Sequence, residues 1–82
     1  MNFEEKVKLA ISNKCGIPIL DLKLEADLER DLNISRLELD DLILTLEKEF
    51  NVEIPTETAK TFNTIGDIIN FLIDNLDEFG NK

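Results

Sequence analysis

The side chains best suited to chemistry lie in one stretch of the chain. Asp27, Glu29, Asp31, Asn33, Ser35 and Glu38 place oxygen atoms at the spacing of a calcium-binding loop, with Ile34 at its eighth place. Such a loop turns sharply at its sixth place, where glycine is usual and this chain has Leu32. The segment that would have to be its entering helix contains Gly16 and Pro18. A true EF-hand is therefore not expected. Loose association of a divalent ion with Asp27, Glu29, Asp31 and Glu38 is the most that this spacing supports.

The remaining inventory excludes more than it offers. The chain has no histidine, no tryptophan and a single cysteine, Cys15. Imidazole bases, Cys/His metal sites and Cys–His nucleophile pairs are thereby removed, and no enzyme is expected. Cys15, with no base or second thiol in its neighbourhood, reads as a small apolar group at a helix end. Ser35 opens Ser35-Arg36-Leu37-Glu38, the pattern of a capping box: the hydroxyl accepts from the Glu38 amide while the Glu38 carboxylate reaches back to the Ser35 amide. A helix should start at Ser35 or Arg36.

That helix has to hold the whole cluster, and its apolar spacing shows how. At about 100° per residue, Leu39, Leu42, Ile43, Leu46 and Phe50 fall within one arc facing a core. Leu37 and Leu44 point away from it, among Asp40, Asp41, Thr45 and Lys48. Two leucines aligned on an acidic face form a small docking stripe for a partner, unless the preceding loop folds over them.

The other elements follow from the same rules. Phe3, Val7, Ala10 and Ile11 make the inner stripe of a first helix, which Cys15-Gly16-Ile17-Pro18 ends. Residues 16–34 form a long connection with Ile17, Ile19, Leu20, Leu22, Leu24, Leu28 and Leu32, apolar enough to be an ordered loop over the core. Asn51 closes the second long helix, and Ile54-Pro55-Thr56 steps into a short helix near residues 57–61 with Ala59 and Phe62 turned inward. Thr64 caps a last helix, with Asp67 as its reciprocal partner and Ile65, Ile68, Ile69, Leu72, Ile73 and Leu76 inside. The expected fold is all-α: three main helices and one short helix in a four-helix bundle. It forms a single domain over 1–82, ordered from about 2 to 76, with the tail 77–82 frayed.

Charge bears on partners. Nine basic residues against eighteen acidic ones leave a net −9, which repels nucleic acid and anionic membrane surfaces. It is concentrated in residues 25–57, where eleven acids face three bases. Basic protein surfaces are the expected partners. No apolar run reaches the roughly 18 residues that cross a bilayer, and nothing at the start of the chain reads as a secretion signal. With one unpaired cysteine, a reducing cytoplasm is the expected location.

At Asp31-Leu32-Asn33-Ile34-Ser35-Arg36-Leu37-Glu38-Leu39-Asp40-Asp41-Leu42, then Leu46-Glu47-Lys48-Glu49-Phe50, Ile54-Pro55 and Thr64-Ile65-Gly66-Asp67, the chain resembles the acyl carrier proteins over nearly its whole length. The resemblance implies a monomeric four-helix carrier in lipid metabolism such as fatty acid biosynthesis. In that family an Asp-Ser-Leu motif opens the second helix, and its serine bears 4′-phosphopantetheine, whose thiol holds acyl groups as thioesters. It implies docking of that helix onto basic patches of synthases, acyl-transferring enzymes and phosphopantetheinyl transferase. Leu37 matches the motif leucine, Glu38, Asp41 and Glu47 match acidic docking positions, and Leu44 matches an apolar recognition position. Asp40 lies on the same face, and Lys48 stands where the family is usually acidic.

Without a gap, the motif aligns with Ser35-Arg36-Leu37: Arg36 takes the modified position and Ser35 that of the aspartate. Ser35 is accordingly read first as a helix cap, with an attachment site displaced by one residue as the alternative. Ser12, in the first helix, is a poor substitute. Arg36 would pair with Glu38, Asp40 or a carboxylate of a partner. Two functions follow: a carrier with an atypical attachment site, or an interaction protein that keeps the fold and the docking face without the arm.

Overall fold

The computed structural model describes residues 2–80, with side chains described as far as Asn75. Helices α1 (Phe3–Cys15), α2 (Arg36–Phe50), α3 (Thr56–Ala59) and α4 (Ile65–Gly80) form the bundle, and a 3₁₀ turn, Ile19–Asp21, lies in the long connection. There is no β-strand among the described residues, only an isolated antiparallel bridge between Asp27 and Thr64. No described helix is long and apolar enough to cross a membrane.

Each helix begins and ends for a local reason. Asn2 caps α1 in a full capping box: its side chain accepts from Glu5 N (2.8 Å) and Glu5 Oε1 accepts from Asn2 N (3.1 Å). The sequence reading did not use that Asn-x-x-Glu pattern. Gly16, at φ +70°, closes α1 in the left-handed conformation, its amide donating to Ser12 O. Asn51 does the same for α2 at φ 54°.

The core comes from the three long helices and the connections between elements. Val7 and Ile11 of α1, Leu39, Leu42, Ile43 and Leu46 of α2, and Ile65, Ile68, Ile69 and Leu72 of α4 are buried, with Val52, Ile54 and Phe62 from the connections. Phe50 is half-buried and stacks edge-on to Phe3, ring centroids 5.3 Å apart. Ala59 is likewise half-buried. Ile73, expected inside, is exposed. Leu76 and the tail expected to fray lie at or beyond the limit of the described side chains.

The long connection is ordered, but by its backbone more than by its leucines. Leu22, Ala26, Leu28 and Ile34 are buried and Ile17 and Leu32 half-buried, whereas Ile19, Leu20 and Leu24 are exposed. An α-helix leaves its first amides without intrahelical acceptors. Here the loop supplies them: Ile65 N donates to Ala26 O (3.2 Å) and Gly66 N to Leu24 O (2.9 Å). Leu28 N donates back to Asn63 O (2.8 Å). This approach is so close that a Cβ on Gly66 would stand 3.0 Å from Leu24 O. Thr64 Oγ1 accepts from Asp67 N, while Asp67 Oδ2 accepts from the Asn63 and Thr64 amides, completing the cap predicted for α4. The loop therefore fixes where α2 and α4 begin relative to each other.

Candidate functional site

Ser35 sits at the exposed head of α2 with an extended backbone, φ −72° and ψ 168°. Its carbonyl accepts from Leu39 N (2.8 Å), the first bond of the helix. Its hydroxyl accepts from Glu38 N (3.2 Å), and Glu38 Oε1 accepts from Ser35 N (2.8 Å). The capping box read from the sequence is thus formed in both directions. In this arrangement the hydroxyl acts as acceptor only, so its own proton remains available to another group.

The stripe on α2 is open. Leu37 is 81% exposed and Leu44 56%, so the long loop does not cover them. Glu38, Asp40, Asp41 and Lys48 are exposed around them. Not all of these groups are equally available. Asp41 Oδ2 is paired with Lys14 Nζ of α1 at 2.8 Å, and Glu47, half-buried, accepts through Oε2 from Ile54 N at 2.7 Å. Glu47 thereby ties the α2–α3 connection to the helix that precedes it. Neither contact had a signature in the sequence, because each joins residues that only the packing of elements brings together.

Arg36 is the first residue of α2 and is exposed. The intrachain pairing expected of it with Glu38 or Asp40 is not formed: among the described residues it makes no ion pair within 4 Å. It stands instead on the wall of a groove of about 600 Å³ between α2 and α3, whose apolar lining is Ile43, Leu44, Ile54 and Ala59. A smaller cavity of about 160 Å³ opens next to Ser35, and Arg36 and Lys60 line both. Lys60 escaped the sequence reading for the reason given above: it follows α3, far along the chain from α2.

The calcium-type ladder is not built. Asp27 Oδ1 accepts from the amides of Glu29 (3.0 Å) and Arg30 (2.8 Å), Asp31 Oδ2 accepts from Asp27 N (2.8 Å), and Glu38 is held by Ser35. No group of three or more potential ligands converges among the described residues. The carboxylates turn back onto their own loop because Leu32 gives it helical turns rather than a ligand cradle: Asp31 N and Leu32 N both donate to Asp27 O. The Arg30 amide, then the Glu29 amide and the Arg30 charge, outweigh desolvation and hold the Asp27 carboxyl below the usual aspartate range. Cys15 is half-buried at the end of α1 as expected; burial first, then Glu38 and Asp41, push its thiol up against the opposing effect of Lys14. That is the reverse of a reactive thiol.

Comparison with known proteins agrees with this layout. The family profile described as "Phosphopantetheine attachment site" matches residues 5–72. The acyl carrier protein of Clostridium acetobutylicum is 37% identical over 68 residues, covering 83% of this chain and 88% of the relative. That of Chlamydia trachomatis serovar D is 36% identical over 72 residues, covering 88% and 94%. A solved structure from Mycobacterium tuberculosis assigned to the acyl carrier proteins superposes with a TM-score of 0.82 at 26% identity, over 89% of this chain and 97% of that one. Four helices in the same order, a serine at the head of the second and an open acidic face beside it accompany these likenesses, and the chain belongs to the acyl carrier protein family, whose members carry groups rather than convert them.

Proposed function

We propose that this carrier takes its 4′-phosphopantetheine arm on Ser35 and docks its partners through the exposed face of α2. The observation that supports it is the position of the Ser35 hydroxyl: exposed, at the mouth of the polar cavity, and with its proton uncommitted. The residues present suit the group, since Arg36 and Lys60 beside Ser35 complement a phosphodiester and the α2–α3 groove is lined for a chain. When bound, the arm supplies a thiol that holds acyl groups as thioesters. Ser35 Oγ would bond to the pantetheine-bearing phosphorus of coenzyme A, displacing the adenosine bisphosphate and giving up its proton.

Docking rests on Leu37 and Leu44 as apolar anchors, with Glu38, Asp40, Asp41 and Glu47 as the acidic surround and Arg36 and Lys48 as its positive exceptions. Partners are basic surfaces of synthases, acyl-transferring enzymes and the transferase that loads the arm, met by a monomer in the cytoplasm. A net −9 disfavours nucleic acid and anionic membranes.

One observation favours a second reading, an adaptor with the docking face and no arm: Arg36, not a serine, occupies the motif's register. Incubation with a broad-specificity phosphopantetheinyl transferase and coenzyme A, read by intact mass, separates the two. Addition of one arm that is lost in Ser35→Ala establishes the carrier with Ser35 as its site. No addition to a folded chain that still binds a synthase establishes the adaptor.

A further inference from the structure

The acidic face of α2 is not evenly charged along its length. Of Glu38, Asp40, Asp41 and Glu47, three keep their charge. Asp40 makes no ion pair within 4 Å among the described residues, and Glu38 and Glu47 accept from the Ser35 and Ile54 amides. A neutral amide steadies a carboxylate without cancelling it. Asp41 differs, because a cation of the same chain already answers it: Lys14 Nζ of α1 stands 2.8 Å from its Oδ2.

This pair is held loosely enough to be exchanged. The Asp41 side chain is 62% exposed and that of Lys14 35%, so solvent and partner reach both. Lys14 lies in the last turn of α1, where its charge also complements the carbonyl end of that helix. Next to it opens a groove of about 660 Å³ between α1 and α2, with Phe3, Leu9, Ala10 and Phe50 among its walls. A displaced Lys14 side chain therefore has room beside α1 without any movement of the helix.

A basic partner meets two kinds of acid on α2. At Asp40 its cation forms a new ion pair. At Asp41 it must exchange with Lys14, so that one pair forms and one breaks.

We propose that Lys14 is a specificity-determining residue, an internal competitor that holds Asp41 until a lysine or arginine of the partner displaces it. The inference rests on the docking reading of α2 given above. Its consequence is selection. A partner whose basic patch outcompetes Lys14 gains the Asp41 contact, and a weakly basic surface does not.

The test measures binding of the unmodified whole chain to a broad-specificity phosphopantetheinyl transferase at low salt. Lys14→Gln removes the competitor. Lys6→Gln takes the same charge from the same helix at a residue outside any ion pair among those described, and so measures the general effect of a more negative chain. Each is made with Asp41 present and in the Asp41→Asn background. The tightening caused by Lys14→Gln should be about two- to fivefold larger with Asp41 present than in Asp41→Asn, the range that an exposed pair allows. Lys6→Gln should give one small gain, equal in both backgrounds. A merely structural Lys14 would change the unfolding midpoint and leave no such dependence on Asp41.

Equal effects of Lys14→Gln in the two backgrounds would overturn the competition. Weaker binding by Lys14→Gln with Asp41 present would overturn it as well, since Lys14 would then be positioning Asp41 for the partner. Leu37→Ala separates this inference from the docking reading. If Leu37→Ala weakens binding while Lys14→Gln acts alike in both backgrounds, the competition fails and the docking reading stands. If neither Leu37→Ala nor Asp41→Asn alters binding, the docking reading fails and the competition with it.

Discussion

At the scale of single residues, the cap that Ser35 forms and the attachment proposed for it make different demands. As the cap of α2 it holds the Glu38 amide, and Ser35→Ala should lower stability by about 1 kcal/mol in urea unfolding while Ser35→Asp retains most of it. As an attachment site it lies one residue early, rotated about 100° and shifted ~1.5 Å along the helix from the position the family uses. The double change Ser35→Asp/Arg36→Ser restores the family's Asp-Ser-Leu register. It should accept the arm on residue 36 faster by on the order of a hundredfold, measured by intact mass against time. Asp27 gives a pH prediction. Its folded carboxyl lies below the usual range, so the folded state holds that proton less readily than the unfolded chain. Its contribution is present above the ordinary aspartate range and is lost as pH falls through the lowered value. The Glu29 and Arg30 amide shifts should titrate with a midpoint below that of an ordinary aspartate, and Asp27→Asn should abolish the step.

At the scale of elements, α2 carries one buried face and one exposed face, the second proposed for docking. Leu42 is fully buried and Leu37 is 81% exposed, though both are leucines of the same helix. Leu42→Ala should cost about 2–5 kcal/mol in denaturant unfolding, and Leu37→Ala less than about 0.5 kcal/mol. Binding to a synthase should show the reverse order at matched folded fractions, with Leu37→Ala the more damaging. These faces were legible because a 3.6-residue period separates Leu39, Leu42, Ile43 and Leu46 from Leu37 and Leu44 before any packing is known. The caps were legible because each lies within four residues of its partner. Ile73 was misplaced because the period assigns a residue to a face of the helix but not the cover over it. Ile19, Leu20 and Leu24 are exposed although composition implied a packed loop: Ile19 and Leu20 lie in a 3₁₀ turn with no buried residue, and the Leu24 carbonyl, not its side chain, meets the start of α4.

At the scale of the whole molecule, the charge distribution bears on the docking proposed above. With a net −9 concentrated between residues 25 and 57, the approach of a basic enzyme is steered over a Debye length of about 8 Å at physiological salt. Its association rate constant, measured by stopped flow, should fall on the order of tenfold between low and high salt, with a smaller change in dissociation rate. The charge is uneven in space as well as in sequence. Lys14 from α1 neutralises part of the acidic face at Asp41, and Arg36 and Lys60 stand against Asp27 and Glu29 around one cavity.

The sequence alone determined the long helices, the capping boxes at Ser35 and Thr64 and the buried arc of α2, because each depends on the identity and spacing of neighbours a few residues apart, and the order of its motifs along the chain carried the resemblance to the family. Only the tertiary structure decided that Glu47 is tied to Ile54, that Asp41 answers Lys14, and that Arg36 and Lys60 line one cavity. Those pairings join residues from different elements or turns, and side chains reach each other there only after burial of the Leu/Ile core has set the distances between helices.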